Sequence, residues 1–510
     1  MSRASRPARR RLAVASALCA ALSLATACGG SAPPAAQPVE ARPGAEQRPP
    51  RVAPAKPWTF PRPARARLDN GLALQLLERP GAPLLELRLV VLSGTASDAE
   101  RPGVAALTAA ALRPGEAWRA ASREPLERAE QLGARWQLET TRDATSLSVS
   151  LPRAALAEGL ALLGSFTAPP RLSAQEFELL RRRELARVNQ LLADDPSWTA
   201  SMAVYAELFR ASPRHHPYEH FDALPGDLER WSAEDCSAWY ARNFSPRNAF
   251  LVAVGDLTLA QLQPLAQHAL GAWQGAEVTP PIFFTPPAPS RVHTLLVDHP
   301  RAAEVELQLA TLGPERRDPG WGQLALLAEL LGASPASGTE PDPGRSARLE
   351  EVAHGATPLL LSARVGLERA PRALAALLDA FSALANRPPE ERALRGAAER
   401  LSVRALLGLE TGAEAADLLS RLSIGGLPLG ALDEFRAELA RTSSAELNSA
   451  AQRYLKAPPI VVIVGDAERL VTPLRHVGQV HVLNAAQGFH VERVLSQDPN
   501  AALEVTPAAP

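Results

Sequence analysis

The sequence contains little lysine and has no block of basic residues in its body. Lys56 and Lys456 are the only lysines, and arginine therefore carries nearly all of the positive charge. With a formal net charge of -1, this pattern argues against a nucleic-acid-binding surface, and we expect no nucleic-acid partner. Hydrophobic residues make up 46% and charged residues 21%, which excludes wholesale disorder. A chain of 510 residues is longer than one core usually supports, so we expect two to four domains.

The first 27 residues predict an export signal. Arginines are concentrated in residues 1–11. The apolar run that follows, from Leu12 to Ala27, is too short to span a bilayer comfortably. The run ends in Leu-Ala-Thr-Ala-Cys-Gly at 24–29, which resembles a bacterial lipobox with Cys28 as the lipidated residue. We therefore predict a signal peptide at 1–27. The alternative is an ordinary cleaved signal followed by an incidental cysteine.

Cysteine is nearly absent from the exported chain. Cys19 leaves with the signal and Cys28 carries the lipid, so only Cys236 remains. A structural disulfide and a cysteine-based zinc site are both excluded. Glu234 and Asp235 precede Cys236, and because neighbouring acids raise a thiol pKa, we expect no nucleophile there.

A proline-rich segment follows the predicted lipid site. Residues 28–63 combine many prolines with Ala, Gly, Gln and Arg, a composition that favours an extended tether. Gly29 gives no acidic retention signal, and by analogy with bacterial lipoproteins this predicts a membrane anchor in the outer membrane, with the protein facing the periplasm. We therefore expect a bacterial cell-envelope lipoprotein.

Three short motifs recur in the same order, which predicts a duplicated α+β unit. Glu-Leu-Arg-Leu at 86–89 returns as Glu-Leu-Gln-Leu at 306–309, and Val-Ala-Val-Gly-Asp at 252–256 returns as Val-Ile-Val-Gly-Asp at 462–466. Ser-Ala-Glu occurs at 232–234 and at 444–446. We predict an N-terminal half at 64–276, a proline-rich linker at 277–290, a C-terminal half at 291–485 and a tail at 486–510.

These motifs resemble the pitrilysin/insulinase zinc metallopeptidase family, which includes the mitochondrial processing peptidases. The resemblance is carried by Leu68–Leu72, Ser93–Ala105, Asp194–Pro196, His216–Tyr218, Tyr240–Asp256, Leu331–Gly332, Ser346–Leu349, Gly425–Leu429 and Val464–Asp466. It implies an α+β fold with two homologous halves, each an antiparallel sheet with helices packed on it.

The chemistry of that family needs His-x-x-Glu-His on the helix after a Pro-Gly turn, since residues at i and i+4 share a helix face and reach one zinc ion. Here residues 106–110 read Ala-Leu-Thr-Ala-Ala. Ala106, Ala109 and Ala110 stand at the places of the two histidines and the general base, and alanine has no donor atom. The family's third ligand falls near Arg187 or Val188, and Glu184 is the closest acid. We therefore expect no catalytic residue, no metal ligand and no cofactor in this chain.

The resemblance also implies two substrate-binding positions in the second half, where an Arg and a Tyr act in related chains. Alignment on Arg348-Leu349 places these roles at His354 and Leu361. Neither residue matches, although a histidine is able to donate a hydrogen bond to a substrate carbonyl. Whether His354 assists substrate binding stays open at this point.

Histidines elsewhere offer an alternative metal site. His215, His216 and His220 lie close together, but Pro213 and Pro217 break any helix there, and a structural turn is favoured. Another pair of histidines, His293 and His299, flanks a strand. His476, His481 and His490 are spaced too irregularly to indicate a site.

The leading hypothesis is a catalytically silent, exported peptidase-like lipoprotein. It would be the non-catalytic subunit that encloses an extended peptide substrate beside a zinc-bearing partner, as a heterodimer. One alternative is a structural or peptide-binding envelope protein without a peptidase partner. Another is a metallopeptidase with a relocated metal site at residues 215–220.

Overall fold

The computed structural model describes residues 59–98, 101–113, 120–210, 215–289, 291–333, 345–428, 430–471, 474 and 479–495. The predicted signal, Cys28, nearly all of the tether, His476 and residues 496–510 of the predicted tail lie outside the described residues. Within the described part, no helix combines the length and the apolar character needed to cross a membrane.

The described strands form two sheets of six and seven strands. Their bounds are β1 Ala64–Arg67, β2 Ala73–Glu78, β3 Leu84–Val91, β4 Arg135–Thr140, β5 Thr145–Pro152, β6 Ala249–Gly255, β7 His293–Asp298, β8 Glu304–Glu315, β9 Ser346–Leu349, β10 Ala356–Gly366, β11 Ile460–Gly465, β12 Val480–Asn484 and β13 His490–Leu495.

The described helices lie between these strands along the chain. Their bounds are α1 Val104–Ala111, α2 Ala120–Gln131, α3 Leu156–Phe166, α4 Ala174–Asp194, α5 Pro196–Leu208, α6 Pro225–Leu228, α7 Ala233–Asn243, α8 Leu259–Leu270, α9 Trp321–Ala333, α10 Ala370–Asn386, α11 Glu391–Leu407, α12 Gly412–Ile424, α13 Ala431–Arg441, α14 Ser444–Tyr454 and α15 Ala467–Leu470.

The two sheets repeat one topology. The order β2-β6-β3-β5-β4 in the first sheet matches β7-β11-β8-β10-β9 in the second. Two of the three recurring motifs lie at matching places in these sheets: on β3 and β8, and at the ends of β6 and β11. The third begins α7 and α14. The predicted α+β fold of two homologous halves is therefore confirmed.

Most strand pairs are antiparallel, but the sheets are mixed. β2 pairs with β6 in parallel, and β7 pairs in parallel with both β11 and β12. The predicted boundary at residue 485 is too early, because β13 lies beyond it and pairs with β12 from His490 to Leu495. The tail predicted to begin at 486 therefore contributes the edge strand of the second sheet.

The hairpin that opens the fold follows from local chemistry. Asn70-Gly71 connects β1 to β2, and Gly71 has a φ of 95°, in the left-handed region that favours glycine. The amide of Asn70 donates hydrogen bonds to the carbonyl oxygens of Leu270 and Trp273, at 2.8 and 3.1 Å. The turn is thus fixed to the end of α8 and to the segment that follows it.

Each half covers one face of the other half's sheet with a helix. Helix α5 packs against β11, where Ala203, Val204 and Val462 belong to one buried cluster, and α12 packs against β6, where Leu419 and Val252 belong to another. Strands β6 and β11 are buried along their whole length. Because both faces of these strands are covered, their sequences are continuous apolar runs without polar alternation. Burial of a side chain such as Leu419 contributes about 2 kcal/mol.

The linker is held against both halves. The ring of Phe283 lies 4.9 Å from that of Tyr218 and 4.6 Å from that of His354. The carbonyl oxygen of Phe284 lies 2.9 Å from Nε2 of His216. Residues 277–289 therefore form a strap with fixed contacts at its centre.

Candidate functional site

Helix α1 begins at a tightly packed turn. Gly103 has a φ of 94°, and a Cβ there would lie 2.6 Å from the Cβ of Ala223, so only glycine fits. The buried carboxylate of Asp98 accepts hydrogen bonds from the backbone N–H groups of Gly103 and Ala105, both at 2.9 Å. Burial raises the pKa of Asp98 well above its ordinary value, although these hydrogen bonds oppose the shift. The Pro-Gly turn and helix predicted from the sequence are both present.

The three alanines of α1 lie where donor atoms would be needed. Ala106 and Ala110 are one helical turn apart and both are half-buried, while Ala109 is 6% exposed. On the adjoining side of the helix, Leu107 and Ala111 belong to a hydrophobic cluster, and Ala110 packs against its edge. The fold thus keeps the helix, but this face carries only methyl groups.

The predicted third-ligand region lies on α4, which packs beside α1. Val188 is fully buried in the cluster that holds Leu107. Arg187 donates to Glu184 at 2.7 Å and to both carboxylate oxygens of Asp222, at 3.0 and 2.9 Å. Burial alone lowers the pKa of Arg187, but its bonds to Asp222 and Glu184 raise that pKa overall. The closest acid, Glu184, is therefore already paired with a cation.

The two positions aligned in the second half differ in exposure. Leu361 lies on β10 and is fully buried in the core of that half, so it does not reach a substrate. His354 is exposed in the loop between β9 and β10, with its ring stacked on Phe283. Its backbone N–H donates to the Tyr218 hydroxyl at 3.1 Å. His354 is accessible from solvent, and Leu361 is not.

A polar seam joins the two halves beside His354. We give this name to Arg142, Asp143, Tyr205, Tyr218 and Glu350. Arg142 donates to Glu350 at 2.7 Å and lies over the ring of Tyr205, 4.4 Å from its centroid. The hydroxyl of Tyr218 donates to Asp143 at 2.5 Å.

The electrostatics of the seam follow from its burial and its pairing. Burial raises the pKa of Asp143 and outweighs the opposing hydrogen bonds from Tyr218 and from the backbone of Ala353. Burial also acts to raise the pKa of Glu350, but Arg142 and Arg348 lower that pKa overall. The seam was missed from the sequence because its members are distant in the chain and have no recurring spacing.

The histidines at 215–220 do not form a metal site. His216 is buried, its Nδ1 accepts from the backbone N–H of Tyr218 at 3.0 Å, and its Nε2 bonds to Phe284. His215 pairs instead with Glu219 at 3.1 Å. Across the residues that the structure describes, no group of three His, Cys, Asp or Glu side chains is placed to hold a metal ion. The structural turn favoured from the sequence matches this arrangement.

The remaining histidines occupy different surroundings. Nδ1 of His293 lies 2.7 Å from Glu207, and the His293 and His481 rings meet edge to face at 4.8 Å. His299 donates its backbone N–H to Gly465 at 2.9 Å, and His490 starts β13 with an exposed side chain.

Cys236 lies on α7 and is fully buried in the cluster that also holds Leu107 of α1. Burial raises the pKa of its thiol to about 12, with smaller contributions from Asp235, Asp98 and Glu234. The sequence predicted a raised thiol pKa from the neighbouring acids alone. The larger cause is desolvation, which agrees with a structural role.

Comparisons with known proteins agree with this geometry. The family model of the peptidase M16 inactive domain matches residues 230–349. The crystal structure of a peptidase M16 inactive domain from Pseudomonas fluorescens is similar with a TM-score of 0.69 at 20% identity, covering 79% of this chain and 98% of that one. A protease from Helicobacter pylori is similar with a TM-score of 0.68 at 16% identity, covering 80% and 100%. The search of curated proteins gave no match.

The predicted resemblance to the pitrilysin/insulinase family is therefore confirmed. The solved structures share the fold at low identity, and the inactive-domain match spans the linker and both of its flanks. This chain is peptidase-like in fold, and its α1 helix lacks the groups that the zinc chemistry needs.

Proposed function

We propose that this chain is the catalytically silent subunit of a two-chain zinc peptidase. A partner chain with an intact His-x-x-Glu-His motif would hold the zinc, and this chain would help to enclose the peptide. The observation that carries the proposal is α1, where the Asp98–Gly103 turn is kept while Ala106, Ala109 and Ala110 replace every donor. A fold that retains the active-site framework without its ligands is suited to a supporting role.

An extended peptide would bind by adding a strand to an exposed sheet edge. Among the described strands, β4 is an edge of the first sheet and pairs only with β5. Its residues alternate between exposed and half-buried side chains. Main-chain hydrogen bonds to such an edge supply affinity with little sequence selectivity, which suits a subunit that holds substrates for another chain's chemistry.

The direct test is to recover the partner. The tagged full chain would be captured from mild-detergent extracts of its own cells and its companions identified by mass spectrometry, with an unrelated tagged lipoprotein as control. We expect a near-stoichiometric relative with an intact zinc motif. Recovery of unrelated envelope proteins alone would contradict the proposal and favour the alternative of a structural or peptide-binding envelope protein.

We also propose that the protein is anchored to the outer membrane through a lipid on Cys28 and faces the periplasm. The support is the sequence of residues 1–29 and the proline-rich tether behind it. Cys28→Ser should move the protein from the membrane fraction to the soluble fraction, while Cys19→Ser within the signal should leave it at the membrane. Retention of the Cys28→Ser protein at the membrane would overturn the lipid anchor.

A metal site relocated to residues 215–220 is not supported. Both ring nitrogens of His216 hold protein partners, so a metal ion would have to displace two hydrogen bonds in the buried contact between the strap and the N-terminal half. His215 is engaged with Glu219. We therefore do not propose catalysis at this cluster.

A further inference from the structure

A cleft of about 470 Å³ lies between the strap and the rim of the second sheet. Thr285–Pro289 of the strap form one wall. The other lining residues come from the end of α5, the starts of β7 and β11, part of β8 and the end of α14. The cleft is remote in sequence from the alanines of α1.

The charges that line this cleft are mostly positive. Arg210, Arg291 and Arg453 line it together with His293, and Glu207 is the one carboxylate among its described lining residues. Glu207 is already engaged, because it lies 2.7 Å from His293 and 3.1 Å from Arg210. Its pKa is lowered: burial acts to raise it, but His293 and Arg210 outweigh that effect.

Unlike Arg210, the other two arginines of the cleft are not paired with a described carboxylate. Arg291 and Arg453 are exposed, and no described carboxylate forms an ion pair with either of them. The nearby His481 has its pKa lowered by burial first, and also by the charges of His293, Arg291 and Arg210. The cleft therefore carries a net positive charge that an anionic ligand would neutralise.

The walls limit how a ligand is held. Pro286, Pro287 and Pro289 have no backbone N–H to donate and present apolar ring surfaces, and Tyr454 also lines the cleft. An anion would therefore be bound by the guanidinium groups, which match a carboxylate in two-point geometry. A peptide segment with acidic side chains supplies such carboxylates.

We infer that this cleft binds acidic segments of peptides, with Arg291 and Arg453 as the residues that select for negative charge. The inference rests on the proposed peptide-enclosing function, which it deepens by naming a class of substrate. Binding would weaken as salt is added, because the two arginines are exposed and their attraction is screened.

The test compares two labelled peptides on the full chain in mild detergent. One alternates glutamate with alanine, and the other has glutamine in place of every glutamate; both carry the same uncharged dye, and binding is followed by fluorescence anisotropy. We expect the glutamate peptide to bind roughly tenfold more tightly or better at low salt. Arg291→Gln with Arg453→Gln should remove that preference.

The matched control is Arg392→Gln with Arg395→Gln, which removes the same charge from exposed positions of α11. It should keep the preference. Equal loss in both double variants, or no loss in the cleft variant, would overturn the inference. Equal binding of the two peptides would overturn acidic selectivity while leaving peptide binding intact, whereas no binding of either peptide would overturn the cleft and count against the proposed function as well.

Discussion

The guanidinium of Arg142 lies 2.7 Å from the carboxylate of Glu350, and this ion pair joins the N-terminal half to the C-terminal half. Both side chains are largely buried, at 16% and 17% exposure. Arg142 also lies over the ring of Tyr205. Removal of either charge would leave the other charge unpaired where water solvates it poorly. We therefore expect the pair to stabilise the contact between the two halves.

Glu350→Gln should therefore destabilise the protein by about 3 kcal/mol, because it leaves the buried guanidinium of Arg142 without its counter-charge. Urea unfolding of the purified chain would measure the change. The control is Glu158→Gln, whose partner Arg128 is 67% exposed. Such an exposed pair contributes about 0–1 kcal/mol. Equal losses in the two variants would show that the seam does not stabilise the contact between the halves.

Three buried or half-buried histidines should contribute stability that is lost as the pH drops below about 6.5. Burial lowers the pKa of His216, His220 and His481 from the usual 6.5. In the unfolded chain these side chains take up protons near pH 6.5, whereas in the folded protein they stay neutral to lower pH. The stability present above the unfolded pKa is therefore lost as the pH falls through the folded values.

The slope of the free energy of unfolding against pH gives the number of protons taken up on unfolding. His481→Gln should lower that number by up to about one. The free energy of unfolding, measured from pH 7 downward, gives the slope. His268→Gln, on the exposed face of α8, is the matched control. An unchanged slope in the His481 variant would contradict the assignment of part of the pH dependence to the half-buried His481 side chain.

Local features were predictable from the sequence because they depend on neighbouring residues. Asn70-Gly71 specified the opening hairpin, and the apolar runs that became β6 and β11 identified the repeat. The absence of zinc-binding side chains on α1 was also predictable, because alanine has no donor atom in any geometry. These features needed no knowledge of which distant segments meet.

Long-range contacts were not predictable in the same way. Arg142 and Glu350 are 208 positions apart, and no periodicity marks either of them. The exchange of α5 and α12 between the halves and the pairing of β13 also depend on tertiary packing. The cationic cleft was missed for the same reason, because its arginines come from three separated segments.

Cys236 should be unreactive in the folded protein. Its thiol is fully buried and has a pKa of about 12, so almost no thiolate exists near pH 8. A maleimide added to the native chain should leave Cys236 unlabelled, and the same reagent should label it after unfolding in urea. Peptide mapping identifies the site, and Cys236→Ser provides the blank. Rapid labelling of the native protein would contradict the buried position.

Restored donors on α1 should not by themselves create a good zinc site. A variant with Ala106→His, Ala109→Glu and Ala110→His supplies two histidines on one face, but a catalytic zinc site has three protein ligands. At the third position the chain offers Arg187, whose positive charge is held by Glu184 and Asp222. We therefore expect weak zinc binding from the triple variant in competition with a chromophoric chelator.

The addition of Arg187→Glu to that triple variant should strengthen zinc binding by roughly tenfold or more, since it removes a cation and supplies an oxygen ligand. The control replaces Ala106, Ala109 and Ala110 by glutamine, which adds side-chain bulk without histidine or a carboxylate. Circular dichroism would establish that each variant folds. Zinc binding by the triple variant as tight as that of the quadruple variant would contradict this prediction. Another side chain of the wild-type fold would then be the third ligand, and replacement of Glu184, the closest acid, would test whether it is that ligand.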